Sequence, residues 1–243
     1  MIKSKLIYLM GCLGFIALMT SCQEENDGFR PGDAPAIGIA FKLSSDQTGT
    51  NANARVLESA VVIESGYFHV EEISLETEGR TANGRFEKEF EIEYDQPKKI
   101  TLDRFDENAD FFIEIAEGEY EEIEFEFELE NANDEPAIFL AGTFTDPDGN
   151  SIPLQFEYFD DDFEFEVEIE AAEGEYFQVD RVNNPLFLFE MYPSNWFSGL
   201  SSAELENAEI TNGVLLINSE VNEALFTKVK RKMKDDAEIE IKM

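Results

Sequence analysis

Histidine occurs once in the 243 residues, as His69, and tryptophan once, as Trp196. Cysteine occurs twice, as Cys12 and Cys22, both close to the start. A Ser-His-Asp or Cys-His arrangement would have to use His69, and no thiol downstream of Cys22 is left to attack a substrate or form a disulfide. Transition-metal centres built from Cys and His clusters are excluded within one chain on the same count. Positive charge is also scarce: 18 Lys and Arg stand against 54 Asp and Glu, a formal net charge of −36. Such a surface repels phosphates, which excludes nucleic acid as a partner, and it draws cations in.

Phenylalanine is abundant, with 22 copies, and the hydrophobic fraction of 43% is enough for a real core. The length suits one large domain or two small ones. Lys3 and Lys5 precede an apolar run from Leu6 to Met19, too short for a membrane span and right for a signal-peptide core. Thr20 and Ser21 then lead into Cys22, the pattern bacteria use for lipoprotein processing, with Met19 where Leu, Val or Ile is usual. The expectation is a signal peptide over residues 1–21 and acyl chains on Cys22, anchoring by about 0.8 kcal/mol per buried CH₂. Ordinary cleavage beside an incidental cysteine is the alternative. Residues 22–36 read as a lipidated tether. Gln23-Glu24-Glu25-Asn26-Asp27 is either a surface-export signal or the start of a solvated linker, and Gly28, Pro31, Gly32 and Pro35 break regular structure.

From Ile37 to Met243 the main signal has period two. IGIAFKL (37–43), SAVVIES (59–65), YFHVEEISLETE (67–78), RFEKEFEIEY (85–94), FFIEI (111–115), YEEIEFEFELE (120–130), AIFLAGTFT (137–145), IPLQFEYF (152–159), DFEFEVEIE (162–170) and PLFLFEM (185–191) all read as strands. Asn83-Gly84 marks the centre of a hairpin turn. SSDQTGTNANA (44–54) reads as a polar loop. Phe86, Phe90 and Ile92 share one expected buried face. Glutamate is a poor strand former, so burial of the apolar face must drive these strands, while outward glutamates discourage edge-to-edge association. Many short strands predict a mostly-β, antiparallel β-sandwich over residues 37–243. SSAELENAE (201–209) suggests a short helix. EVNEALFTKVKRKMK (220–234) suggests a longer C-terminal one, capped by Ser219 and ending in lysines that suit its dipole. AEIEIKM (237–243) reads as a closing strand.

AEGEY occurs twice, at 116–120 and 172–176. Gly118 and Gly174 suit positive φ, and Tyr120 and Tyr176 suit the corner in which a tyrosine hydroxyl bonds back to the backbone between two sheets. The rival is a carboxylate cluster of Glu117, Glu119, Glu173 and Glu175. Calcium is the cation to weigh, because oxygen ligands abound. Asp146, Asp148 and Asn150 alternate as in part of a calcium loop, without full EF-hand spacing; DPDG reads first as a hairpin turn between AGTFT and IPLQF. Asp160, Asp161 and Asp162 form a second acidic run. Tyr192, Trp196 and Phe197 are the candidate stacking surface for a glycan or other ligand, against a role in packing a long connection. His69 reads as a half-buried strand residue and not as a catalyst.

The MTSC box with its acidic stretch, VVIESGYFHVEEISLE, the G-x-Y turns, FLAGTFTDPDGNSIPLQFEY and NWFSGL followed by VNEALF occur in an order that resembles a family of Bacteroidota surface lipoproteins. The resemblance spans most of residues 37–243. It implies a β-sandwich domain of unknown function and no catalytic residues. The expected protein is an outer-membrane lipoprotein exposed at the cell surface. It acts as a non-enzymatic binding or structural module with a glycan, an envelope protein or calcium as partner, and needs no other cofactor. The alternative is a surface hydrolase working through paired carboxylates, as in glycosidases.

Overall fold

The computed structural model describes residues 34–44, 60–103, 108–159, 163–183 and 185–242, with backbone alone for 238–242. Cys22, the tether before Ala34, most of the 44–54 loop and Asp160–Asp162 lie outside the described residues.

The chain is mostly β, arranged in two sheets. The smaller has three strands, with β1 (Ala36–Leu43) between β10 (Leu186–Met191) and β4 (Phe111–Glu114). The larger runs β11 (Leu215–Ile217), β7 (Ser151–Tyr158), β6 (Ile138–Thr145), β2 (Val61–Thr81), β5 (Gly118–Leu129), β8 (Phe163–Glu170), β12 (Glu238–Lys242). β3 (Gly84–Leu102) also pairs with β2, and β9 (Phe177–Val179) with β5. Most pairings are antiparallel. Three peripheral ones, β1–β10, β7–β11 and β8–β12, are parallel, which requires the long crossovers that separate these strands in sequence.

β2 is one strand of 21 residues, where the sequence suggested two. Val61 and Ile63, then Phe68 and Val70, then Ile73 and Leu75 are its buried apolar positions. The parity changes twice, at register shifts between Ile63 and Ser65 and between Val70 and Glu72. Each bulge adds one residue and returns the apolar side chains to the same face. β5 and β6 lie end to end along one side of β2, and β8 and β7 lie end to end beyond them.

The small sheet packs on the large one through phenylalanine. Phe41 meets Phe68 at 5.0 Å and Phe127 at 5.2 Å, both edge to face, and Phe111 meets Phe127 at 5.8 Å. Beyond that contact the core is closed by a 3₁₀ turn at Pro193–Phe197 and two helices, α1 (Ser202–Glu206) and α2 (Glu223–Asp235). Ser201 and Glu204 form a capping box on α1. α2 begins three residues later than the sequence suggested, with Asn222 at φ 58° as its N-cap; Asn222 spends its side chain on Glu209 and on the Leu216 carbonyl. Glu223 in the first turn and Lys232 and Lys234 in the last match the helix dipole.

Candidate functional site

Alternation in β2, β3, β5 and β8 places phenylalanine, isoleucine, valine and leucine inward and glutamate outward. Register then aligns the glutamates of neighbouring strands. Glu93, Glu72, Glu128 and Glu164 form one cross-strand row, and Glu91, Ser74, Glu126 and Glu166 the next. Glu89, Glu76, Glu124 and Glu168 form the third, and Glu87, Glu78, Glu122 and Glu170 the fourth. Fifteen carboxyl groups therefore share one face of four strands. Strands lie about 4.8 Å apart, so like charges stand directly opposite each other, an arrangement that costs stability.

Burial and crowding raise the pKa of several of these carboxyl groups. Partial burial, a hydrogen bond with Glu164 and the charges of Glu164, Glu128 and Glu124 push the Glu126 carboxyl up to about 7. Glu122, Glu124 and Glu128 are also raised, first by burial and then by neighbouring carboxylates. Glu71 is raised by burial and a hydrogen bond with Glu130. A hydrogen bond between two carboxyl groups needs one shared proton.

The two AEGEY copies meet at one border of this face, because β9 pairs with the start of β5: Gly118 with Val179 and Tyr120 with Phe177. Their conformations differ. Tyr120 is buried, and its hydroxyl donates to the Ala116 carbonyl at 2.5 Å, the expected corner. Burial pushes this hydroxyl up to about 12. Tyr176 makes no such bond back to the chain. Its hydroxyl accepts from Arg85 Nη2 at 3.3 Å, and the Arg80 guanidinium lies 3.9 Å above its ring centroid. Arg80 also donates to Glu119, at 2.7 Å from Nε, and Arg85 to Glu121 at 2.9 Å. Gly174 has φ 80° in a tight turn, as expected; Gly118 instead lies in strand β5 without a positive φ. Glu117 and Glu173 are exposed, and the Glu119 carboxylate is bound to Arg80, so the rival carboxylate cluster is replaced by Arg-Glu pairs.

Of the two readings of Tyr192, Trp196 and Phe197, the structure corrects the stacking surface at Trp196 and Phe197, which pack the connection against the core instead. Trp196 and Phe197 are 3% and 2% exposed. Trp196 stacks near Phe165 and Phe197 meets Phe156 edge-on. Tyr192 is half-buried, and its hydroxyl donates to Glu190 at 2.8 Å. The Trp196 and Phe197 rings offer no face to a ligand, because they close the core under the 193–200 connection.

Asp146, Asp148 and Asn150 form the β6–β7 turn. The Asp146 carboxylate accepts from the Asn150 backbone at 2.7 Å and from its side chain at 2.8 Å. These bonds lower its pKa. Gly149 at φ 86° completes the bend. Asp146 is thus engaged within its own loop, and among the described residues no group of three or more His, Cys, Asp or Glu is placed to hold a metal.

His69 is more deeply buried than expected, at 2% exposure. Its Nδ1 lies 2.9 Å from the Pro136 carbonyl and its Nε2 3.2 Å from Glu135. Lys99 donates to both Glu135 oxygens, at 3.0 and 2.9 Å, and lies 3.6 Å over the Tyr67 ring. This cluster ties the turn before β6 to β2 and β3.

The glutamate face itself was half legible. Strings such as IEFEFELE give the outward acids of each strand, but only the pairing order aligns them into rows. Compared with protein-family models, curated proteins and solved structures, the chain matches none.

Proposed function

We propose that this chain is a non-enzymatic binding module of the bacterial envelope, anchored at the outer-membrane surface by lipid on Cys22, whose glutamate face receives a cationic partner. One observation carries the reading: fifteen outward glutamates are spread in register over an open sheet face. Sugar hydrolysis asks for something else, two acids about 5–10 Å apart across a bond, with aromatic platforms beside them. Glu126, whose carboxyl is raised, is hydrogen-bonded to Glu164, closer than that spacing, and Trp196 lies in the core.

Two measurements test the reading. Cys22→Ala is expected to move the protein from the membrane fraction to the soluble one; continued membrane retention would overturn the anchor. A variant with Glu124, Glu126, Glu166 and Glu168 changed to Gln is expected to keep its circular dichroism and lose its envelope partners in pull-downs. The control neutralises Glu173, Glu175, Glu206 and Glu209 instead and is expected to keep those partners. Turnover of envelope glycans by the purified domain would sink the module in favour of the hydrolase. No cofactor is part of the proposal, so at matched ionic strength the thermal melt is expected to be the same in millimolar calcium and in chelator; a calcium-dependent rise that Asp146→Asn abolishes would restore a site at Asp146, Asp148 and Asn150.

A further inference from the structure

β3 borders the glutamate face and, among the described strands, pairs only with β2. Over residues 85–93 its other side is, among the described residues, an open strand edge with two chemically different faces. Outward it carries Glu87, Glu89, Glu91 and Glu93, all exposed. Inward it carries Phe86, Phe90 and Ile92, with Lys88 between the first two.

The inward side lacks a cover that the next strand has. Leu75 and Ile73 of β2, cross-strand neighbours of Phe90 and Ile92, are 0% exposed. Phe90 is 38% exposed, and Phe86 and Ile92 are only half-buried. The sheet therefore stops one strand short of burying its own apolar face. The same edge rejects a second copy of the chain, because edge-to-edge pairing would set one row of four glutamates against another.

We propose that this edge of β3 accepts an added strand from a partner protein, an extended segment alternating basic and apolar residues. Backbone hydrogen bonds would extend the ladder. Basic side chains of the added strand would fall beside the glutamates, and apolar ones beside Phe90 and Ile92. A polar or acidic residue suits the position beside Lys88, whose Nζ sits 5.5 Å over the Phe86 ring. Charge complementarity supplies the attraction, and alternation, rather than charge alone, supplies the selectivity.

The inference rests on reading the domain as a binding module, and the two fail separately: glycan turnover sinks the module, whereas an unselective peptide response sinks only the edge assignment. The probe is a synthetic peptide alternating lysine and valine, titrated into the mature chain by fluorescence anisotropy. Its controls are a block isomer of the same composition and an analogue N-methylated along one backbone edge. The alternating peptide is expected to bind at least about tenfold tighter than either control. Binding is expected to slow amide hydrogen exchange within residues 85–93, and Phe90→Ser and the pair Glu89→Gln with Glu91→Gln are each expected to weaken it. Equal binding by the block isomer, or unchanged exchange over 85–93 at saturation, would overturn the proposal.

Discussion

Strand β5 carries Ile123, Phe125, Phe127 and Leu129 on one face and Glu122, Glu124, Glu126 and Glu128 on the other, and the two faces have opposite energetics. Inward, each large side chain is essentially fully buried and gains about 1.5–3 kcal/mol from leaving water. Outward, Glu122, Glu124 and Glu128 face glutamates on both neighbouring strands and Glu126 faces Glu166 on one side and Ser74 on the other, at roughly 0.2–1 kcal/mol per opposed carboxyl pair. The strand exists because the first face outweighs the second. A sequence can thus afford a poor strand former at every other position, provided the remaining positions are buried this completely.

The sharpest way to break the comparison is Phe127→Ala. Phe127 touches Phe41, Phe111 and Phe125, and its truncation is expected to cost about 3–5 kcal/mol in urea unfolding. A loss under about 1 kcal/mol would mean that the inner face is not what holds β5.

The outer face is expected to respond to pH in the opposite sense from an ordinary set of paired carboxylates. Folding raises these pKa values, so the folded state binds more protons than the unfolded chain between the ordinary glutamate value of 4.5 and the raised one, about 7 for Glu126. Stability therefore falls as pH climbs through that window. The Tm is expected to be roughly a few degrees higher at about pH 5.5 than at about pH 8, with the gap narrowing in high salt. Further acidification reverses the trend. Glu119, Glu135 and Glu204 have lowered pKa values through bonds to Arg80, Lys99 and Lys228, Glu204 reaching about 2, and protonation removes their contribution. A Tm that rises steadily from acid to alkaline pH would refute the raised values.

The two tyrosines of the repeat sharpen the contrast at smaller scale. Tyr120→Phe removes the part-buried bond from the Tyr120 hydroxyl to the Ala116 carbonyl and is expected to cost about 1 kcal/mol. Tyr176→Phe removes a contact with Arg85 near the outer face, and is expected to change stability by no more than about 0.5 kcal/mol. Equal losses in denaturant melts would show that the second copy is a corner as well. The smallest effect expected is a gain: Glu126→Gln relieves one carboxylate row and is expected to add about 0.5 kcal/mol near neutral pH.

Period two was enough to place β5, β8 and most other strands, because their inner faces are buried without interruption. It misled where tertiary context intervenes. The phase breaks around Gly66 made β2 look like two strands, since a bulge has no periodic signature. Phe86, Phe90 and Ile92 were expected to be buried like any other inner face, but an edge strand receives cover from one side only. The hairpin turns at Ala82 and Asn83, one residue before its expected centre, with Thr81 paired to Gly84. β9 and β11 are three residues each, too short to show alternation. Strand order was not legible at all, and with it went the rows of the glutamate face, the meeting of the two AEGEY copies and the three parallel pairings. Trp196 shows the same limit: its neighbours in sequence are polar and aromatic in either role, and only the position of Phe165 puts it in the core.

β2 runs past both halves of the large sheet, pairing with β6 through its first residues and with β5 through its last, while every other strand row along that side is interrupted. Neither half-sheet can detach without breaking the strand they hold in common. The two halves of the large sheet are therefore expected to unfold together, loss of either raising the unfolding tendency of the other. Closing of the large sheet waits on contacts far apart in sequence, such as Val61 with Phe144 and Leu215 with Leu154, so a chain of this topology is expected to fold slowly for its size.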